Sequence, residues 1–458
     1  MKKIIICLAI LVGVLGAQAQ QVAPFKDGDR AVFLGNSITD GGHYHSYIWL
    51  YYMTRFPYMD LTVCNAGIGG DTVADMFKRL DGDVLDKKPT VLMVTFGMND
   101  TGYYEYNGDG AERFGEEKYK ACYDNFKKLE ARLKELSGVR VVMVGGSPFD
   151  EKAKIESTSF RGKNSVMDKV VAFQRRSAEE NGWEFIDFSA PMTSINEREQ
   201  QKDPSFTLCG SDRIHPGNDG HMVMAYLYLK AQGFAGKEVA EMEIDAAKRK
   251  ALVAKNCKIS KIKGDSRELS FDYHAKALPY PMDTVTRGWG AVGKQAAAAR
   301  VVPFVEEMNR EILCVKGLSG TYDVSIDGVE IGSWSGEELA AGVNMATIDR
   351  TPQYQQALQV MYLNEVRYEV ERKFREVAWM QWGFLQPHGL ANANNRAAVD
   401  KIDEHKERNG WVNAQRDNYA QMMHEGVREG RRLEMQSLID QIYSLNKPQV
   451  RKVVLRKK

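Results

Sequence analysis

An α/β fold, a parallel sheet with helices on both faces, is what residues 20–244 predict, and two observations carry the prediction. Five short runs of Val, Leu, Ile and Phe are spread over residues 30–190, and amphipathic stretches separate them. Nearly continuous apolar runs suit strands buried on both faces, and strand–helix alternation arranges such strands in a parallel sheet. A change of texture near Asp245 sets the rest apart. Residues 245–350 read as a smaller β-rich module, and residues 351–458 as a helical C-terminal region with a basic tail.

The chain opens with Lys2 and Lys3, an apolar run over residues 4–16, and Ala17-Gln18-Ala19. A positive end, a short apolar core and a small-x-small site make residues 1–19 a secretory signal peptide, and the protein is expected to be exported, periplasmic or extracellular. The run is too short to span a bilayer, which takes about 20 residues, and no later segment is apolar enough. No Cys follows the cleavage site, so no lipoprotein anchor is indicated.

The expected strands lie at residues 31–35, 61–65, 90–96, 139–145 and 184–188. Between the third and fourth, Tyr119, Tyr123, Phe126, Leu129, Leu133 and Leu136 recur at helical spacing with Lys and Glu opposite them. Ser137-Gly138 closes that helix, and a second helix covers residues 166–180 before the fifth strand. In the β-rich module, alternation in Tyr322-Asp-Val-Ser-Ile326 followed by Asp327-Gly328 signals a hairpin. Trp289 and Trp334 in this module are read as core or interdomain packing, with a sugar platform as the alternative. Beyond Pro352 the pattern is helical. Trp379 and Trp382, three apart, share a helix face that packs against the first domain, and residues 447–458 read as a frayed basic tail.

Charge excludes one class of partner. The net charge is +1, and falls to −1 once Lys2 and Lys3 leave with the signal peptide. Nucleic-acid binding needs an excess of Lys and Arg, so none is expected. Cys64, Cys122, Cys209, Cys257 and Cys314 remain after Cys7 leaves. Widely spaced and odd in number, they are neither a disulfide framework nor a zinc set, and buried thiols with at most one or two bridges are expected.

The chemistry sits at strand ends. Gly35-Asn36-Ser37-Ile38-Thr39-Asp40-Gly41-Gly42 directly follows the first strand, Asn65-Ala-Gly-Ile-Gly-Gly-Asp-Thr72 the second, and Gly97-Met98-Asn99-Asp100 the third. Asp212-Arg213-Ile214-His215-Pro216 comes near the end of the domain. In open parallel sheets, ligands bind beyond the carboxyl ends of the strands. Singly, Ser37 also suits a helix N-cap, Asp212 and His215 a turn, and Asn99 an Asx-turn. Jointly, they suit catalysis.

These four blocks, in this order, resemble those of the SGNH/GDSL hydrolase family over roughly residues 28–230. The resemblance implies a three-layer, flavodoxin-like α/β/α fold and hydrolysis of ester or related acyl bonds. It maps Ser37 as nucleophile and His215 as base, and the backbone N–H of Ser37, that of Gly70 and the side-chain amide of Asn99 as the oxyanion hole. A serine hydroxyl needs an adjacent base, and Asp212, on the same loop as His215, can fix the imidazole tautomer. Glycine at 70 keeps a side chain from hindering the backbone's approach to substrate. One departure stands out: Asn36 precedes the nucleophile where the family usually has Asp.

Several signals are set aside. Gly288 to Lys294 approaches a phosphate loop, but Gln295 stands where Ser or Thr would hold magnesium. His43 and His45 read as a satisfied pair at a helix start rather than a metal site, and the machinery needs no metal or other cofactor. Asn99-Asp-Thr101 fits a glycosylation pattern, yet a glycan there would block the oxyanion hole.

The expected substrate is an acylated glycan or small molecule. Exported SGNH-like enzymes often remove O-acetyl groups from glycans, so the resemblance favours a carbohydrate O-acetylesterase. Tyr103 and Tyr104, beside the catalytic edge, are candidate substrate-binding residues, with loop packing as the alternative. The same machinery would serve a lipid esterase, lysophospholipase or thioesterase. A third reading is a glycan-binding protein with a vestigial hydrolase domain.

Overall fold

The computed structural model describes residues 22–287 and 292–458. The expected signal peptide, Cys7, Trp289 and part of the glycine-rich stretch at 288–294 lie outside them. Five parallel strands build the first sheet: β1 (Asp29–Gly35), β2 (Leu61–Gly67), β3 (Val91–Phe96), β4 (Arg140–Gly145) and β5 (Glu184–Asp187). Their order is β2-β1-β3-β4-β5, so the connection reverses direction between β1 and β3. That reversal opens a crevice at the carboxyl ends of these two strands.

Short α1 (Ser37–Asp40) and α2 (Tyr44–Arg55) follow β1, and α3 (Val73–Lys78) follows β2. Next come α4 (Ala111–Lys134), α5 (Lys163–Asn181), α6 (Ser189–Gln200) and α7 (Asn218–Ala231). Alternation along β1 shows why helices cover both faces. Ala31 and Phe33 join a core with α2 and α7 residues such as Ile48 and Leu229, whereas Val32 and Leu34 join one with Met76, Phe126 and Phe173. The three-layer α/β/α arrangement follows directly.

The second region is a pair of packed sheets. Its strands are β6 (Ala240–Asp245), β7 (Lys250–Lys255), β8 (Cys257–Gly264) and β9 (Glu268–Ala275), then, after α8 (Phe304–Met308), β10 (Glu311–Lys316), β11 (Thr321–Ile326) and β12 (Val329–Ser335). After α9 (Gly336–Ala341) comes the two-residue β13 (Val343–Asn344). Sheet β13-β10-β6-β7 faces sheet β12-β11-β14-β9-β8, where β14 is Arg451–Lys457, and both contribute to one apolar core. The β11–β12 hairpin turns at Asp327 and Gly328, both at positive φ, as the sequence predicts. Because β6 already pairs with β7 and β10, we propose that the hydrolase domain ends near residue 240 rather than 244.

The tail is corrected. Residues 451–457 are no frayed end but an inner strand, hydrogen-bonded to β9 on one side and β11 on the other. Val453 and Leu455 alternate into the core, and the flanking Lys and Arg face outward.

The helical region comprises α10 (Pro352–Ala378), α11 (Arg396–His405), α12 (Gly410–Met422) and α13 (Glu425–Leu445). Helix α10 runs along the outer edge of β2 and is tied to the first domain by buried polar contacts. Asn65 N–H donates to Glu371 Oε1 across 2.7 Å, Tyr368 O–H to Gly42 O across 3.0 Å, and Asn364 to Ser46 across 2.8 Å. An exposed sheet edge invites unwanted pairing, and α10 covers this one. Trp382 packs over Gly82 and Trp379 over Gly69, as the shared face predicts. Trp334 is half-buried against the β-rich core.

Candidate active site

Ser37 sits where β1 passes into α1, largely buried, and Asn36 caps the helix by accepting the Ile38 N–H at 3.0 Å. Asparagine thus meets the local need without a charge. The Ser37 Oγ lies 2.8 Å from His215 Nε2, and His215 Nδ1 lies 2.6 Å from Asp212 Oδ2. The other carboxylate oxygen of Asp212 accepts the N–H groups of Ile214 and His215, each at 2.9 Å. Burial alone would raise the Asp212 carboxyl, but the hydrogen bonds it accepts from the His215 ring and from the backbone of His215 and Ile214 outweigh it and hold the group below the usual range. With Nδ1 turned to Asp212, Nε2 is the ring nitrogen that faces the Ser37 hydroxyl.

Arg213 makes this turn possible. It adopts φ of +71°, unusual for a residue with a side chain. Its buried guanidinium donates to the carbonyls of Asp150, Ala153, Ile155 and Ser157, locking the turn to the loop after β4.

The expected oxyanion donors come from neighbouring loops. Gly70 has φ of +90°, and nothing lies within 4 Å of where a Cβ would stand. The glycine is therefore required by its left-handed backbone, not by crowding. Next to it, Gly69 N–H donates to Asp40 Oδ2 across 2.9 Å. Burial pushes the Asp40 carboxyl up to about 6, against the pull of Arg375. Asn99 donates one amide hydrogen to Asp71 O at 2.8 Å, and its Oδ1 accepts Tyr103 O–H at 2.6 Å. Asp100 receives Val73 N–H and Gly97 N–H at 2.8 and 2.9 Å, bracing the same loop.

Ser37, Gly70, Asn99 and His215 line one cleft of about 940 Å³. Asp212 backs His215. Neither Tyr103 nor Tyr104 is among the lining residues. Tyr103 is packed behind Asn99, and Tyr104 is exposed with its ring edge on Phe160. Among the described residues, the opposite wall comes from the helical region and includes Trp379, Trp411, Gln415, Asn418 and Gln421. Sequence reasoning missed this wall because no local motif marks it.

It also missed a buried charge network beneath the site. Asp83 receives two contacts of 2.9 Å from Arg375 and one of 2.6 Å from Arg79, which also holds Asp71 at 2.6 Å. Arg375 reaches Gly67 O at 2.9 Å as well, so α10 supports the loop that carries Gly70. Burial pushes the Asp71 carboxyl up to about 7 despite Arg79, whereas in Asp83 the surrounding cations overcome burial and hold it well down.

The remaining candidates are structural. His43 meets Glu365 at 3.2 Å, His45 meets Thr39 O at 3.1 Å, and both rings are buried. Burial pushes His45 down to about 4. Among the described residues no cluster of three or more His, Cys, Asp or Glu could hold a metal ion, and the five described cysteines are free thiols.

The GDSL-like lipase/acylhydrolase family model matches residues 33–223, and that of the diltiazem deacetylase C-terminal helical domain matches residues 358–447. The chain is similar to BT4096, a gut microbial diltiazem-metabolizing enzyme, at 60% identity and TM-score 0.94, covering 96% of this chain and 100% of that one. It is also 28% identical over 222 residues to an acetylxylan esterase of Geobacillus stearothermophilus, covering 45% of this chain and 95% of the relative. The chain belongs to the SGNH/GDSL hydrolase family and is an ester-hydrolysing enzyme.

Proposed function

We propose that this enzyme is an exported serine esterase that removes acetyl groups through Ser37, His215 and Asp212, with a carbohydrate O-acetyl ester as substrate. The observation that carries the mechanism is the continuous chain from Ser37 Oγ to His215 Nε2 and from Nδ1 to Asp212, at 2.8 and 2.6 Å. Ser37 Oγ attacks the acyl carbon while Nε2 takes its proton. The oxyanion is met by the N–H groups of Ser37 and Gly70 and by the Asn99 amide hydrogen not given to Asp71. Collapse breaks the bond to the alcohol oxygen, which leaves with the proton from His215. Water then attacks the acyl-serine by the same route in reverse order, releasing acetate and restoring Ser37.

The glycan substrate is supported by the acetylxylan esterase relative, and export by the signal-like residues 1–19. A second reading has its own support: the full-length likeness to the diltiazem-metabolizing enzyme favours an acetyl ester of a bulky non-sugar alcohol. Released acetate, measured on acetylated xylan and on acetylated polycyclic alcohols, decides between them. On either substrate, turnover by Ser37→Ala within tenfold of the parent enzyme would end the catalytic reading.

A further inference from the structure

The described wall opposite Ser37 is built by the helical region rather than by the loops at the sheet edge. Its indoles sit on two separate pieces of the helical region. Trp379 begins a π-helical turn over Trp379–Leu385, an irregularity that is rare and frequent at functional sites. This turn lays the indole across the loop beside Gly70: its Cδ1 is 3.9 Å from where a Cβ of Gly69 would stand. Trp411 lies in the first turn of α12 and is 52% exposed while lining the same cleft.

The rest of the lining narrows the ligand class. Three cations and three acids line the cleft besides His215, and their charges are spent on one another or on neighbours. Glu376 bonds Arg372, meets Lys373 at 3.4 Å and accepts from Asn418 at 2.8 Å. Arg431 meets Glu434 at 2.7 Å, and Asp417 meets Arg416 at 3.0 Å. Among the described residues, Ala414 is the one aliphatic side chain that lines it. Among these residues a fatty acyl chain would find no aliphatic channel, and each lining cation already faces a carboxylate. Flat indole faces and amide groups instead suit rings with neutral hydroxyl or ether edges.

We infer that Trp379 and Trp411 form an alcohol subsite, built by the helical region, that holds the neutral ring system of the ester against the acyl-transfer loops. The inference rests on the reading of Ser37 as nucleophile and goes beyond it, since that reading says nothing of what binds the leaving alcohol. Two sources share this chemistry, an acetylated sugar and an acetylated polycyclic alcohol, and the test separates them. A small ester such as methyl acetate reaches Ser37 without filling the subsite.

In the full chain, kcat/KM is measured on acetylated xylobiose, on an acetylated polycyclic alcohol and on methyl acetate. The parent enzyme should prefer at least one ring ester strongly, and Trp411→Ala should cut that preference about tenfold, the rate equivalent of one lost stacking contact. Trp379→Phe, which retains a ring over Gly69, should cut it less than Trp379→Ala. Quenching of tryptophan fluorescence in the Ser37→Ala protein, titrated with the same ring ester, should weaken in parallel with Trp411→Ala added. Loss of preference in either arm supports the subsite and names its source. Unchanged preference in both arms, with methyl acetate still turned over through Ser37, overturns the inference and leaves the triad standing. A long-chain acyl ester preferred over both ring esters overturns it as well.

Discussion

Tyr103 donates its phenolic hydrogen to Asn99 Oδ1 across 2.6 Å, while Asn99 gives one amide hydrogen to Asp71 O across 2.8 Å. Together these bonds fix which way the amide faces and direct its remaining hydrogen away from both partners. Burial raises the Tyr103 phenol well above its usual range, so it stays a donor. Lys163 supports the arrangement from behind. Its ammonium lies 4.1 Å from the Tyr103 ring centre and donates to Met98 O, Thr101 Oγ1 and Gly102 O at 2.6, 2.7 and 2.6 Å.

Tyr103 is thus a positioning residue for the proposed oxyanion donor. Tyr103→Phe keeps the ring and removes the bond, worth about 0.5–1.5 kcal/mol. The expected result is a fall in kcat on an aryl acetate of about three- to tenfold, with KM changed less than about twofold. A rise in KM at constant kcat would instead make Tyr103 a substrate contact.

Arg375 should matter for folding far from its own helix. Removing one partner of a buried ion pair leaves a charge uncompensated and typically costs about 3–5 kcal/mol. Asp83 keeps Arg79 and Lys87, so Arg375→Met is expected near the lower end, about 3 kcal/mol, in urea unfolding. Activity of the folded fraction should also fall, because the bond to Gly67 O goes with it. A variant as stable as the parent would show that α10 does not brace the loop.

Glu311 predicts a pH effect. It is buried between β9, β10 and α10, where Tyr273 O–H donates at 2.8 Å and Gln353 at 3.2 Å. Burial, opposed by these donors and by Arg451, pushes its carboxyl up to about 7. A carboxyl raised on folding binds its proton more tightly in the native state. Stability is therefore lost as pH rises from the unfolded value, about 4.3, through about 7, by roughly 2–4 kcal/mol in all. Glu311→Gln should be close to the parent in Tm at pH 5 and clearly above it at pH 8. Equal Tm values at pH 8 would contradict the assignment.

The C-terminal strand can be tested by shortening one side chain. Leu455 is fully buried in the β-rich core. Leu455→Ala should cost about 2–5 kcal/mol, as for buried leucines generally. A frayed tail would show nothing.

That strand marks the limit of sequence reading. Residues 451–457 are rich in Lys and Arg, and charge masked the alternation of Val453 and Leu455, whose partners β9 and β11 lie over a hundred residues away. The first sheet was legible because each strand carries its own apolar run, and the blocks around Ser37, Gly70 and Asn99 directly follow β1, β2 and β3. Ser37 and Asn99 stood out for the same reason, whereas Asp212 and His215, on the loop between α6 and α7, stood out by their spacing of three and the family resemblance. Arg213, Lys163 and Arg375 were not, since a buried cation is recognised by the carbonyls and carboxylates around it and not by its neighbours in sequence. Trp411 lines the cleft because α12 packs on α10, which in turn lies against the first domain, a placement no local motif in the sequence announces.

The central claim is that Ser37 is the nucleophile, activated by His215. Its most direct test is mass spectrometry of the protein after reaction with a fluorophosphonate, which marks activated serines. The predicted result is one equivalent of adduct on the peptide bearing Ser37, lost in His215→Ala. Full esterase activity in protein with Ser37 unmodified, or an adduct on another serine that tracks inactivation, would contradict it.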